Sequence, residues 1–90
     1  MGTEIDIIAI KDTLIIFTEV KLRSARHITQ RQLIEFISPK KQKAIYRGIL
    51  HFLAEHSHVV WNTIRVDLAV VQTNQWGEFV YRYYAGVVDF

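Results

Sequence analysis

Cysteine is absent from the 90 residues. That excludes disulfides, thiolate zinc centres and a cysteine nucleophile, and it is compatible with a reducing cytoplasm. Long hydrophobic runs are also missing. The longest, such as Leu14 to Phe17, are far too short to cross a bilayer, so no membrane association is expected. The N-terminus opens on Glu4 and Asp6 rather than on a basic segment and an apolar stretch, so no signal peptide is expected and the cytoplasm is the expected location. Internal repeats and low-complexity segments are absent. The length allows one domain, residues 1–90, whose core is marginal because a chain this small buries only about 60% of its unfolded surface. What is present fits an ordered globular protein: 50% of the residues are hydrophobic and 22% are charged. A net charge of +2 permits a nucleic-acid partner without establishing one.

Glu4 to Lys11 and Leu14 to Leu22 read as two strands joined at Lys11, Asp12 and Thr13, hence a hairpin. Both are apolar on both faces for much of their length, which predicts a sheet covered on two sides. Arg23 to Ile37 is polar and basic, a loop with a short helix around Thr29 to Phe36. Ser38 is an N-cap with Pro39 at the first helical position, so a helix runs to about Glu55 with Ile45, Ile49, Phe52 and Leu53 as its apolar stripe. Thr63 to Gln72 and Glu78 to Tyr84 read as further strands around a turn, followed by an apolar tail to Phe90. The order is strand, strand, helix, strand, strand. A helix between two strands of one sheet makes them parallel, so an α/β fold with a mixed sheet is predicted.

Two charged groups interrupt the apolar hairpin: Glu4-Ile5-Asp6 and Glu19-Val20-Lys21. Alternation puts Glu4 and Asp6 on one face, and likewise Glu19 and Lys21. A hairpin loop with an even number of residues sets Asp6 opposite Glu19 and Glu4 opposite Lys21, with Cβ atoms about 4.5–5.5 Å apart. A three-residue loop would shift the pairing by one. Opposed carboxylates repel, and a hard divalent cation between them removes the conflict, with water completing its shell. Lys21 then stands where it can orient an attacking water or neutralise a phosphate. The competing reading is a solvated hairpin end. Against it, the same face carries Ile8, Ile15 and Phe17 and is expected to be buried farther along, so the charges cluster at one end of a buried face.

Four segments now stand in order: Glu4-Ile-Asp6-Ile-Ile-Ala, Ile-Phe-Thr-Glu19-Val-Lys21-Leu-Arg23, Ser38-Pro39-Lys40-Lys41-Gln42 and Ile64-Arg65-Val66-Asp67-Leu68-Ala69-Val70. Together they resemble the YraN-like family of predicted endonucleases, from about Gly2 to Val71 and more loosely to Phe90. Glu-X-Lys alone is a weak motif; the four segments at these spacings are more specific. The resemblance implies a restriction-endonuclease-like core of the PD-(D/E)XK kind, similar to archaeal Holliday-junction resolvases. It implies that Asp6 and Glu19 hold Mg²⁺ or Mn²⁺, that Lys21 is the catalytic lysine, and that Gln42 faces the active centre. Helical spacing puts Gln42 on the face of Ile45 and Ile49; an amide near a helix start that bonds backbone is an equal alternative. The chain departs from the family in having Thr3 between Gly2 and Glu4. On this resemblance it also opens at the family's second strand, without the helix and strand that come first there. The implied fold is thus an N-terminally truncated core, expected to self-associate through its open sheet edge.

The basic residues Arg23, Arg26, Lys40, Lys41, Lys43 and Arg47 are the candidate nucleic-acid contacts, with DNA as the expected partner. Lys40, Lys43, Arg47 and His51 share one helical face, which pattern alone explains slightly better as an ordinary solvated face than as a phosphate-contacting stripe. His56-Ser57-His58 lacks a second ligand pair and is not expected to bind zinc. Trp61, Trp76, Tyr81, Tyr83 and Tyr84 are expected in core and edge packing rather than as base-stacking platforms. Asp67 and Arg65, two apart on one strand, are expected to form a structural ion pair. Two functions follow: a metal-dependent endonuclease acting on structured or damaged DNA, or a catalytically inactive relative that binds nucleic acid or protein.

Overall fold

Two residues, Asp12 and Thr13, turn the first hairpin, and Asp12 takes the left-handed conformation such a turn requires (φ 53°). The computed structural model describes residues 5–23 and 29–88. The hairpin strands are β1 (Ile7–Lys11) and β2 (Leu14–Arg23), paired antiparallel from Ile7 opposite Thr18 to Lys11 opposite Leu14. This is the register of an even loop. Two helices follow, α1 (Gln30–Phe36) and α2 (Pro39–Glu55), then β3 (Thr63–Thr73) and β4 (Phe79–Tyr84). The sheet order is β1-β2-β3-β4, with β2 and β3 parallel and the outer pairs antiparallel. The expected order therefore holds, with α1 and α2 filling the helical position.

The helices start where capping chemistry places them. Thr29 Oγ1 accepts the Gln32 N–H while the Gln32 side chain accepts the Thr29 N–H, a capping box. Ser38 Oγ accepts the Lys41 N–H, with Pro39 at the first helical position. The inward face of α2 buries Ile45, Gly48 and Ile49 against Ile15, Phe17 and Val66, while Phe36 of α1 packs on Leu68 and Val70. By the strand registers, all five of these strand residues lie on one face of the sheet. Both helices therefore cover that same face.

The expectation of a sheet covered on both sides is thus corrected. Among the described residues no helix lies over the other face, where Ile7, Leu22, Phe79, Tyr81 and Tyr83 are exposed. β1 is exposed along its whole length, Ile8 and Ile10 included, because α2 sits over β2 and β3. The apolar tail packs into the helix-side core: Val87 N–H donates to Val66 O at 2.8 Å, and Val88 is buried beside Ile45 and Ile49. The aromatic residues depart from expectation too. Trp61, Trp76, Tyr81 and Tyr83 are exposed, while Tyr84 is half-buried against α1.

One polar group sits in the middle of the open face. Asp67 is fully buried and takes both Nε and Nη2 of Arg65 at 2.9 Å, the Tyr83 hydroxyl and the Gly86 N–H. This is the expected ion pair, extended into a clasp that ties β4 and the following turn to β3. Burial pushes the Asp67 carboxyl up, but the bonds from Arg65, Tyr83 and Gly86 outweigh it and hold the group below its ordinary value of 3.8. Its contribution to stability is therefore complete above that value and is lost as the pH falls through the lower folded one. Asp67→Asn is expected to cost about 2–3 kcal/mol at pH 7, discounted for the partly exposed Arg65, and to remove that acid dependence. Thermal melts from pH 7 down to pH 2 measure this. An equal loss at both ends would show that shape rather than charge is what the clasp supplies.

Candidate active site at the carboxyl end of the second strand

Along β2 the side chains of Ile15, Phe17, Glu19 and Lys21 alternate onto the helix-side face. Ile15 and Phe17 are wholly buried, so the hydrophobic packing that fixes the strand also fixes the direction of the two charged residues beyond them. Glu19 is 3% exposed, with both carboxylate oxygens shielded from solvent. Lys21 Nζ stands 2.5 Å from Glu19 Oε1, and its side chain is 16% exposed. Lys21 gives this deep carboxylate a cationic partner while keeping a path to solvent.

Asp6 lies immediately outside the β1–β2 ladder rather than in it. Its N–H donates to Thr18 O at 3.0 Å, and its Oδ2 accepts the Val20 N–H at 2.8 Å. The carboxylate thus replaces a backbone partner at the point where β1 leaves β2. The predicted opposition of Asp6 and Glu19 becomes a looser arrangement: Asp6 is held by the backbone next to Glu19 and remains exposed. Glu4 and Arg26 lie outside the described residues.

Gln42 sits at the start of α2 with its Nε2 donating to Ile37 O at 2.8 Å. That bond joins the two helices and matches the backbone-bonding alternative for this amide. Arg23 ends β2 with its guanidinium 4.7 Å from the centre of the Phe36 ring, a cation–π contact that holds it at the end of the sheet. Lys40, Lys43 and Arg47 are exposed on the face of α2 opposite Ile45 and Ile49, and Lys41 is half-buried. The fold therefore brings Asp6, Glu19, Lys21 and Arg23 to one end of β2 and leaves the outer α2 stripe pointing away from the sheet. His56 stacks on Phe52 and bonds its carbonyl, a packing role. No group of three or more metal-ligating side chains occurs among the described residues.

Gln72 also reaches this end of the sheet, a residue without a motif to mark it. It is 3% exposed, shares the helix-side face with Lys21, and pairs across the parallel ladder with Arg23. A polar residue closing the apolar run of β3 was the available signal.

The arrangement can be set beside known proteins. Residues 1–71 match the model of the uncharacterised protein family UPF0102. A UPF0102 protein of Methylocella silvestris is 35% identical over 79 residues, 88% of this chain and 60% of the relative. One from a Synechococcus species is 34% identical over 77 residues, 86% of this chain and 57% of the relative. A third, from Desulfitobacterium hafniense, is 36% identical over 76 residues, 83% and 61%. The chain thus spans about three fifths of the length of the curated relatives it matches. With 71 residues covered by the family model, the chain belongs to the uncharacterised protein family UPF0102.

Proposed function

We propose that this fold is the core of a divalent-metal-dependent endonuclease that hydrolyses phosphodiester bonds in DNA. The observation that carries the reading is the buried Glu19 carboxylate in contact with Lys21 at the carboxyl end of β2, with the Asp6 carboxylate held beside it. Burying a charge is costly, and a charge buried at a strand end beside a second carboxylate favours a site. The donor set fits a hard cation: two carboxylates supply oxygen ligands, as Mg²⁺ and Mn²⁺ prefer, and leave most of the shell to water and substrate. Such an ion, when bound, would activate water and neutralise charge developing on the phosphate. The chain's own contributions are separable. Glu19 orients Lys21, Lys21 presents an ammonium to the phosphate, and Arg23 stands ready for a neighbouring phosphate two residues on. A chain without cysteine suits cytoplasmic work on DNA, and none of the described helices is long and apolar enough to cross a membrane. Self-association belongs to the same reading, since β1 is an exposed apolar edge to which a second copy can add.

The ion pair also favours a second reading. Lys21 already neutralises Glu19, so an added cation competes with an internal ammonium, and a purely structural pair has the same geometry. Thermal stability against Mg²⁺ or Mn²⁺ separates the two. The nuclease reading expects the ions to raise the melting temperature of the wild type, because a ligand that binds only the folded state stabilises it, and expects Glu19→Gln to lose that response. An equal response in both proteins removes Asp6 and Glu19 as metal ligands and leaves a binding module.

A further inference from the structure

β4 carries Phe79, Tyr81 and Tyr83 at alternate positions, so all three rings stand on the open face of the sheet, about 7 Å apart along the strand. They are 66%, 73% and 57% exposed. Their neighbours across the ladder are Thr73, Val71 and Ala69, none of which is large enough to cover a ring. The Tyr83 hydroxyl is tied to Asp67, which orients that ring at one end of the row. At the other end Phe79 lines a cleft of about 250 Å³ together with Leu22, Arg23, Val71, Gln72 and Thr73. This cleft lies across the carboxyl ends of the parallel strands β2 and β3, the place where open α/β sheets receive ligands. Its first lining residue, Leu22, directly follows Lys21.

We propose that Phe79, Tyr81 and Tyr83 form a stacking platform for single-stranded nucleic acid, reached from the Glu19–Lys21 site through the Arg23–Gln72 cleft. The direction of entry rests on the nuclease reading. Three features favour a nucleic acid over a protein surface. The row is aromatic, and every base offers a π-face to a ring whatever its identity. The only carboxylate among the described strand residues of this face is Asp67, buried and bonded to Arg65, while Lys11 adds a second cation. Arg23, at the junction between site and platform, supplies a planar cation for a phosphate. The substrate class that results is DNA with an unpaired strand, the single-stranded portion lying on the open face.

The test is fluorescence anisotropy with a labelled short oligothymidine and a duplex of equal length, in EDTA so that binding is read without cleavage. The wild type is expected to prefer the single strand. Phe79→Ala and Tyr81→Ala are each expected to weaken that binding about tenfold, whereas Phe79→Trp keeps it and Leu50→Ala, an exposed residue on α2, has no effect. Circular dichroism melts establish that the variants are folded, and Phe79→Trp retains the stacking ring if Phe79→Ala is not. Unchanged affinity in both alanine variants, or no single-strand binding by the wild type, overturns the platform. So does loss of self-association in those variants with oligonucleotide binding intact, which makes the face a protein interface. A separate Mg²⁺-dependent cleavage assay decides the nuclease reading: cleavage without platform binding leaves the nuclease standing, and platform binding without cleavage leaves the platform standing.

Discussion

On the proposed nuclease function, Lys21→Ala should lower phosphodiester cleavage about a hundred- to a thousandfold, the usual loss when one preorganised group that stabilises developing charge is removed. The same substitution has a second effect that must be kept apart from the first. It takes from Glu19 the cation 2.5 Å away, in a place where Glu19 is 3% exposed. Breaking a buried pair from one side costs about 3–5 kcal/mol at the upper end, and less here because Lys21 is partly solvated. A fall in activity alone is therefore ambiguous. Two further variants resolve it. Lys21→Arg keeps the charge and the pairing but replaces a compact ammonium with a planar fork, so it should fold well and still cleave poorly. The double variant Lys21→Ala with Glu19→Gln removes both charges and should recover much of the lost stability while staying inactive. Cleavage rates and denaturant midpoints measured on all three provide the check. If the double variant cleaves like wild type, or Lys21→Ala keeps full activity, Lys21 has no part in the chemistry.

The shared face of Ile15, Phe17, Glu19 and Lys21 was legible in the sequence because of how strands are read. Alternation along Ile15, Phe17, Glu19 and Lys21 depends only on backbone period, and the parity of the Asp12-Thr13 turn sets which β1 residues face them. The start of α2 was equally local, since a serine before a proline closes the hydrogen-bonding account of the first turn by itself. The open face was not legible. Ile7, Ile8 and Ile10 look the same in sequence whether or not another layer covers them, because apolarity reports a tolerance for burial and not the presence of a partner. Tyr81 and Tyr83 were misplaced for the same reason, their rings suiting a core, an edge or a surface. The even-loop register was legible, but Asp6 leaving the ladder and turning its carboxylate to the Val20 N–H was not, a choice that pattern reading cannot see. Gln42 depended on where the α1–α2 junction brings the Ile37 carbonyl.

Phe17→Ala should destabilise the chain by about 4 kcal/mol, within the range for an aromatic ring removed from a packed core. Phe17 is 0% exposed and meets the Phe52 ring edge-on at 5.6 Å, inside the cluster of Ile15, Ile45, Ile49, Val66 and Val88. A domain of this size has roughly 5–10 kcal/mol in total, so the loss should lower the melting temperature by about 15–30 °C. Ile8 provides the contrast. It faces Phe17 directly across the hairpin, yet it is exposed, and Ile8→Ala should cost less than about 1 kcal/mol. Thermal melts of the two variants side by side make the comparison, and equal losses would mean that β1 carries a cover the present packing does not give it. The consequence reaches the site. Glu19 and Lys21 take their direction from the strand that Phe17 anchors two residues earlier, and burial of the Glu19 carboxylate depends on the same helix layer staying in place. Phe17→Leu, which keeps most of the volume, should therefore preserve both stability and the metal response, whereas Phe17→Ala should weaken the metal response even below its own melting temperature. A Phe17→Ala protein that is folded and responds to Mg²⁺ like wild type would show that Asp6, Glu19 and Lys21 are held by the hairpin alone.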